Sequence, residues 1–183
     1  MKRILTIAFA LTLVASSAFA LDYGWSISGS STDATVNTGD LAAGLPSNVY
    51  LWLNCTTVDG ISAMEARVDV QGLLFLSFTP MNGALNAGAG QELLLAVGGC
   101  PTDPFLIGSI GVLNLGTGGS LCLVPSTANG FNVSVDCDPI APTTHENAVA
   151  GFATTGLTFC DNSGDCVVSV EDTSWGNIKG LYR

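Results

Sequence analysis

The sequence predicts an all-β fold: an antiparallel β-sandwich of immunoglobulin-like or jelly-roll type, stapled by disulfides and ending in a short C-terminal helix or tail. Three observations predict it. Apolar residues recur at every second position over short stretches. Turn-forming Gly, Asn and Asp residues separate those stretches at even spacing. All 6 Cys lie downstream of an export-type leader. With 183 residues, 48% of them hydrophobic, the chain is long enough for one domain with its own core.

The elements follow in order. Residues 1–20, MKRILTIAFALTLVASSAFA, have the parts of a secretory signal: Lys2 and Arg3 as the charged start, an apolar run over 4–14, and Ala18-Phe19-Ala20 as the cleavage site. The apolar run is short for a bilayer span and the flank after it is acidic, so cleavage is expected rather than anchorage. In the next clear strand Val49, Leu51, Leu53 and Cys55 share one face, with Tyr50 and Trp52 on the other. Met64, Ala66, Val68 and Val70 alternate with Glu65, Arg67 and Asp69, the cleanest half-buried strand in the chain. Residues 73–78, 92–97, 105–115, 121–124, 131–137, 151–160 and 166–170 continue the pattern. Turn signals fall between them: Asp59-Gly60, Asn82-Gly83, Gly98-Gly99, the glycine run 116–119, Asn129-Gly130 and Ser163-Gly164. The segment 139–145 reads as a loop. The domains are therefore a signal peptide at 1–20, a β-sandwich at 21–172 and a basic tail at 173–183, in a protein secreted to a bacterial exterior or cell surface.

Charge excludes whole classes of function. Losing Lys2 and Arg3 with the leader takes the formal charge from −10 to −12, leaving Arg67, Lys179 and Arg183 against 15 acids. Such a surface repels nucleic acid and anionic lipid. No later apolar stretch approaches the length of about 18 residues that a transmembrane helix needs.

Six cysteines in an exported chain read as three disulfides. If Asn129-Gly130 is a two-residue hairpin turn, Cys122 faces Cys137 across the strands, unless a bulge or pairing to the other sheet intervenes. If Asn162-Ser163-Gly164 is a three-residue loop, Cys160 faces Cys166 at a non-hydrogen-bonded pair, where the Cβ spacing suits a bridge. Cys55 and Cys100 remain for each other. No Cys-x-x-Cys occurs and His145 is the only imidazole, so zinc ligation is not expected.

Candidate chemistry is sparse. Asp161 and Asp165 oppose each other on the second hairpin, a repulsion that Ca²⁺ would relieve, although two carboxylates are few for that ion. Asp136 and Asp138 flank Cys137 in the same manner; no other cofactor is indicated. His145 lacks a nucleophile motif and reads as a surface histidine. The glycine run 116–119 has neither the Lys nor the helix of a phosphate loop and reads as a turn. Tyr23, Trp25, Tyr50 and Trp52 would make a sugar-stacking platform if exposed, and core or edge cover if not. In the tail, Trp175, Ile178 and Tyr182 recur at helical spacing beside the cations Lys179 and Arg183, a composition suited to docking on its own domain, to binding an acidic neighbour head-to-tail, to recognition by export machinery, or to packing the Trp as a last element of the sandwich.

Residues 48–85 (NVYLWLNCTTVDGISAMEARVDVQGLLFLSFTPMNGAL) resemble the front half of a cohesin-like β-sandwich, and 107–125 (IGSIGVLNLGTGGSLCLVP) are similar to its later strands. The chain departs from that family in lacking the Asp-Pro that commonly follows the second strand and in carrying disulfides. Separately, Thr173-Ser174-Trp175-Gly176-x-Ile178-Lys179-x-Leu181-Tyr182-Arg183 resembles a tail of secreted proteins of uncultured bacteria. A cohesin or carbohydrate-module resemblance implies a non-catalytic module that binds a protein, a glycan or copies of itself. A structural subunit of an extracellular filament or coat is the alternative, and a secreted hydrolase comes third.

Overall fold

The computed structural model describes residues 23–56, 59–102, 104–158 and 160. Those residues form strands and no helix. In chain order the strands are β1 (Tyr23–Ser28), β2 (Thr38–Gly39), β3 (Pro46–Cys55), β4 (Ile61–Gln71), β5 (Leu73–Pro80) and β6 (Leu85–Asn86), then β7 (Glu92–Ala96), β8 (Phe105–Asn114), β9 (Ser120–Val124), β10 (Val133–Asp136), β11 (Thr144–Ala150) and β12 (Phe152–Thr154).

Two layers result. One runs β11-β1-β3-β8-β5. In the other, β4 is central, with β7 and then β6 on one edge and both β9 and β10 on the opposite edge. Strand β11 belongs to both layers: 144–146 pair with β10, and 147–150 pair with β1. The sandwich is thus sewn shut along one side. The pairing is not purely antiparallel as the alternation suggested, because β1–β11 and β12–β2 are parallel. A strand that crosses between layers arrives at its second partner in whichever direction the crossing dictates.

Alternation fills the core as expected. Trp25, Ile27, Val49, Leu51, Leu53, Ile107 and Ile110 of the first layer meet Met64, Ala66, Val68, Leu93, Leu95 and Leu123 of the second. Strand β1 carries no alternation signal because both its faces are covered. The arm 29–37 folds over its outer side, where Ser26 and Ser28 donate to the carbonyls of Ala34 (2.7 Å) and Asp33 (2.5 Å). Trp25 donates its indole N–H to Ser134 Oγ (3.1 Å) and Asn147 Oδ1 (3.0 Å), so the largest buried side chain also ties the layers together.

Two corners require glycine. The chain turns from β4 into β5 at Gly72, whose φ is 72° and where an added Cβ would lie 2.4 Å from the Gly118 carbonyl oxygen. The run 116–119 is therefore the expected turn, packed against that corner. At Gly60, φ 72°, an added Cβ would meet the Cys100 carbonyl at 2.4 Å.

The disulfide map differs from the sequence expectation. The bridges are Cys100–Cys137 and Cys122–Cys160, replacing Cys122–Cys137, Cys55–Cys100 and Cys160–Cys166. Cys55 is disulfide-bonded as well. The reason is that Asn129-Gly130 does not close a hairpin. Strands β9 and β10 run in the same direction along one edge of β4, with Val124 facing Arg67 and Val133 facing Glu65. Residues 125–132 form an excursion between them, closed by Gly130 N–H to Ser126 O (2.8 Å) and Ser126 N–H to Phe131 O (2.7 Å). Cys122 and Cys137 consequently never oppose each other. Cys166, the Asp161–Asp165 pair and the tail residues Trp175, Ile178, Lys179, Tyr182 and Arg183 lie outside the described residues, as does residue 103.

Candidate functional site

The outer face of the β4 layer carries the unusual feature. Along β4 the buried residues Met64, Ala66 and Val68 alternate with outward Ala63, Glu65 and Arg67. Its neighbours present apolar residues on that same outward side. On β7, Leu93 and Leu95 are buried while Leu94 stands 49% exposed between them. Strand β10 inverts the usual phase: polar Ser134 and Asp136 are buried, and Val133 and Val135 face outward. An apolar-out, polar-in strand costs stability unless its polar residues are satisfied and its outer face is used.

The inward polar residues are satisfied. Ser134 receives the Trp25 indole and donates to Asn147 Oδ1 (2.5 Å). Asp136 accepts from the Thr143 hydroxyl, from His145 Nε2 at 3.0 Å, from the Thr143 N–H at 3.0 Å and from the Asp138 N–H at 3.2 Å. Those contacts, the Thr143 hydroxyl foremost and then His145, hold its carboxyl well below the usual carboxylate range.

Pairing assembles the outward residues into two rows. One reads Leu94–Glu65–Val133–Glu146, the other Ala96–Ala63–Val135–Thr144. Between them lies an open recess of about 490 Å³ lined chiefly by Ala63, Leu94, Phe131, Val133, Val135 and Thr144. Phe131, 56% exposed, rises from the end of the 125–132 excursion. The excursion is fastened to the same face by Asn129 Nδ2 donating to Glu65 (2.8 Å) and by the N–H (3.1 Å) and hydroxyl of Thr127 donating to Glu92. The Thr127 hydroxyl lowers the Glu92 pKa, against a smaller desolvation effect. The face is therefore apolar along the Ala96–Thr144 row and carries its acids, Glu65 and Glu146, on the other.

The other candidates resolve differently. His145 is not a loop histidine: it is the second residue of β11, packs at a tilt against the Tyr23 ring with centroids 4.8 Å apart, and bonds Asp136. Thr143 Oγ1 lies 2.8 Å from the same Nε2 that meets Asp136, so the three form a closed triangle. A catalytic relay instead needs acid and nucleophile on opposite ring nitrogens. Asp138 is spent on the N–H groups of Ile140 (2.8 Å) and Ala141 (3.2 Å), and no group of three potential metal-ligating residues occurs among the described residues. Tyr23 and Trp25 are buried in the core. Trp52 donates to Ser30 O (3.0 Å) beneath the 29–37 arm, so these aromatics offer no sugar-stacking platform. Among the described residues no helix is long and apolar enough to cross a membrane.

Sequence reasoning missed Leu94, Phe131, Val133 and Val135. Leu94 left a signal, since three consecutive leucines on an alternating strand must turn one outward. Val133 and Val135 left none, because their alternation looks like that of a core strand.

No family model matches the chain, and no curated protein matches it in sequence. Solved structures do match in fold. The sixth cohesin from Acetivibrio cellulolyticus scaffoldin B, crystallised in complex with a mutant Cel5 dockerin, is 14% identical with a TM-score of 0.50, covering 72% of this chain and 96% of that one. The seventh ScaB type I cohesin from Pseudobacteroides cellulosolvens is 9% identical with a TM-score of 0.50, covering 77% and 94%. The fold is thus a cohesin-like β-sandwich, with disulfides added.

Proposed function

We propose that this protein is a secreted, non-catalytic scaffolding module that binds another protein through the outer face of the β4 layer. The observation that carries the reading is the inverted strand β10, which sends Val133 and Val135 outward beside Leu94 and Phe131 while burying Ser134 and Asp136. An exposed apolar cluster rimmed by polar residues is the usual mark of a protein interaction surface. The cohesin-like fold supports the reading, since one similar module was crystallised with a dockerin. Binding rather than catalysis is further supported by the closed Asp136–Thr143–His145 triangle, and the disulfides suit an oxidising exterior.

The partner chemistry follows from the rows. Leu94 and Val133 flank Glu65, and Glu146 lies beyond Val133, so the face suits a segment that presents apolar side chains and a cation together. The test immobilises the full chain and presents a panel of dockerin modules and of secreted proteins from the same source. Saturable retention, weakened at least tenfold by Leu94→Glu and unaffected by Leu74→Glu on β5 of the other layer, supports the reading. Equal retention on the wild type and Leu94→Glu overturns it.

A further inference from the structure

We infer that segment 173–183 of the same chain docks on the outer face of the β4 layer and competes there with the external partner; this rests on the docking role proposed for that face. The surface and the segment are chemically matched. The face offers Leu94, Val133, Val135 and Phe131 around Glu65 and Glu146, and the segment offers Trp175, Ile178 and Tyr182 around Lys179 and Arg183. Apart from Lys2 and Arg3 at the N-terminus, those two cations are the only Lys or Arg residues beyond Arg67, which already sits 3.5 Å from Asp69. An acidic face on an acidic molecule has few other basic groups of its own to meet.

The route of the chain makes the docking intramolecular. Cys122, itself buried, alternates with the core residues Leu121 and Leu123 and lies opposite Asp69. Its bridge to Cys160 fixes that residue against the β4 layer. Cys55, at the end of β3, is disulfide-bonded too, and the other two bridges leave only Cys166 for it, so the free span to Trp175 is nine residues, up to about 30 Å. A tether of that length supplies an effective concentration on the order of millimolar. A second copy must instead approach against like charge, since each chain carries a formal −10.

The docked segment reduces the fraction of molecules open to an outside partner, and apparent affinity falls by that fraction. With nine-tenths of molecules closed, removing the docking contacts would raise partner affinity about tenfold.

The experiment uses the full chain, labelled for NMR, beside three full-length variants: Leu94→Glu, Lys179→Glu and Trp175→Phe, the last assigning the indole. The expected result is a set of NOEs from the Trp175 ring to the methyls of Leu94, Val133 and Val135. They should persist on tenfold dilution and disappear in both Leu94→Glu and Lys179→Glu; the second variant leaves the sheet untouched. Partner retention should rise severalfold in Lys179→Glu. A Trp175 ring without NOEs to those methyls overturns the inference. So do NOEs that fade on dilution while the mass in solution falls, which would assign the contact to a second copy. If the NOEs are present but Leu94→Glu leaves partner retention unchanged, the tail docks as inferred and only the docking role of the face for outside proteins fails.

Discussion

Removing the Cys100–Cys137 bridge gives a clean measure of how much the cross-links stabilise this sandwich. The bridge closes 37 residues that contain β8, β9 and the 125–132 excursion. Cys100 is exposed and Cys137 only half-buried, so deleting the two sulfurs opens little core space. The effect should come almost entirely from the unfolded chain. A loop of that length restricts the unfolded ensemble by about 13 cal/mol/K, equivalent to about 4 kcal/mol at 25 °C. For a chain of this size that corresponds to about 8–16 °C in Tm. The assay is guanidinium unfolding of the full chain and of Cys100→Ala/Cys137→Ala, followed by near- and far-ultraviolet circular dichroism. Native spectra should coincide, stability should drop by about 4 kcal/mol, and the denaturant slope should rise because the freed chain exposes more surface. A loss below about 1 kcal/mol, or a slope that does not rise, would refute the entropic account. Peptide mapping without reductant checks the pairing itself and should recover Cys100 joined to Cys137.

Two further outcomes are expected. The depressed Asp136 carboxyl gives stability that is complete above the ordinary carboxylate range, near pH 4, and is lost as pH falls through its lowered value; Asp136→Asn should flatten the acid limb of a pH–stability curve measured between pH 5 and 2, and an unchanged limb would contradict the assignment. Gly72→Ala should destabilise by more than about 2 kcal/mol in chemical denaturation, because a Cβ at φ 72° also meets the Gly118 backbone at 2.4 Å with no side chain to yield.

How far the fold was legible depends on what each residue's neighbours report. Strands β3 and β4 read cleanly because each has one face on the core, so parity records burial. Strand β1 gave no parity because Gly24, Ser26 and Ser28 are buried beneath the 29–37 arm, a tertiary contact without local sign. The bridges were misassigned because Asn129-Gly130 has the same local chemistry in a hairpin and in an excursion; what decides is that β4 is long enough to hold β9 and β10 end to end. The candidate face was the hardest to see. Val133 and Val135 alternate with polar residues as core residues do, and their true phase depends on Trp25 and His145, distant partners that make Ser134 and Asp136 worth burying.

A glutamate scan of outward-facing apolar residues, one per full-length variant and read as retention of whichever dockerin module or secreted protein the chain binds, separates the β4 face from the rest of the surface. Leu74 and Leu76 on the β5 edge, Leu45, Leu115 and Leu157 sample the remainder of the surface, while Leu94, Phe131, Val133 and Val135 sample the proposed face. Losses of tenfold or more confined to the second group are predicted. Losses centred on Leu74 and Leu76, or spread evenly over both groups, would contradict the account.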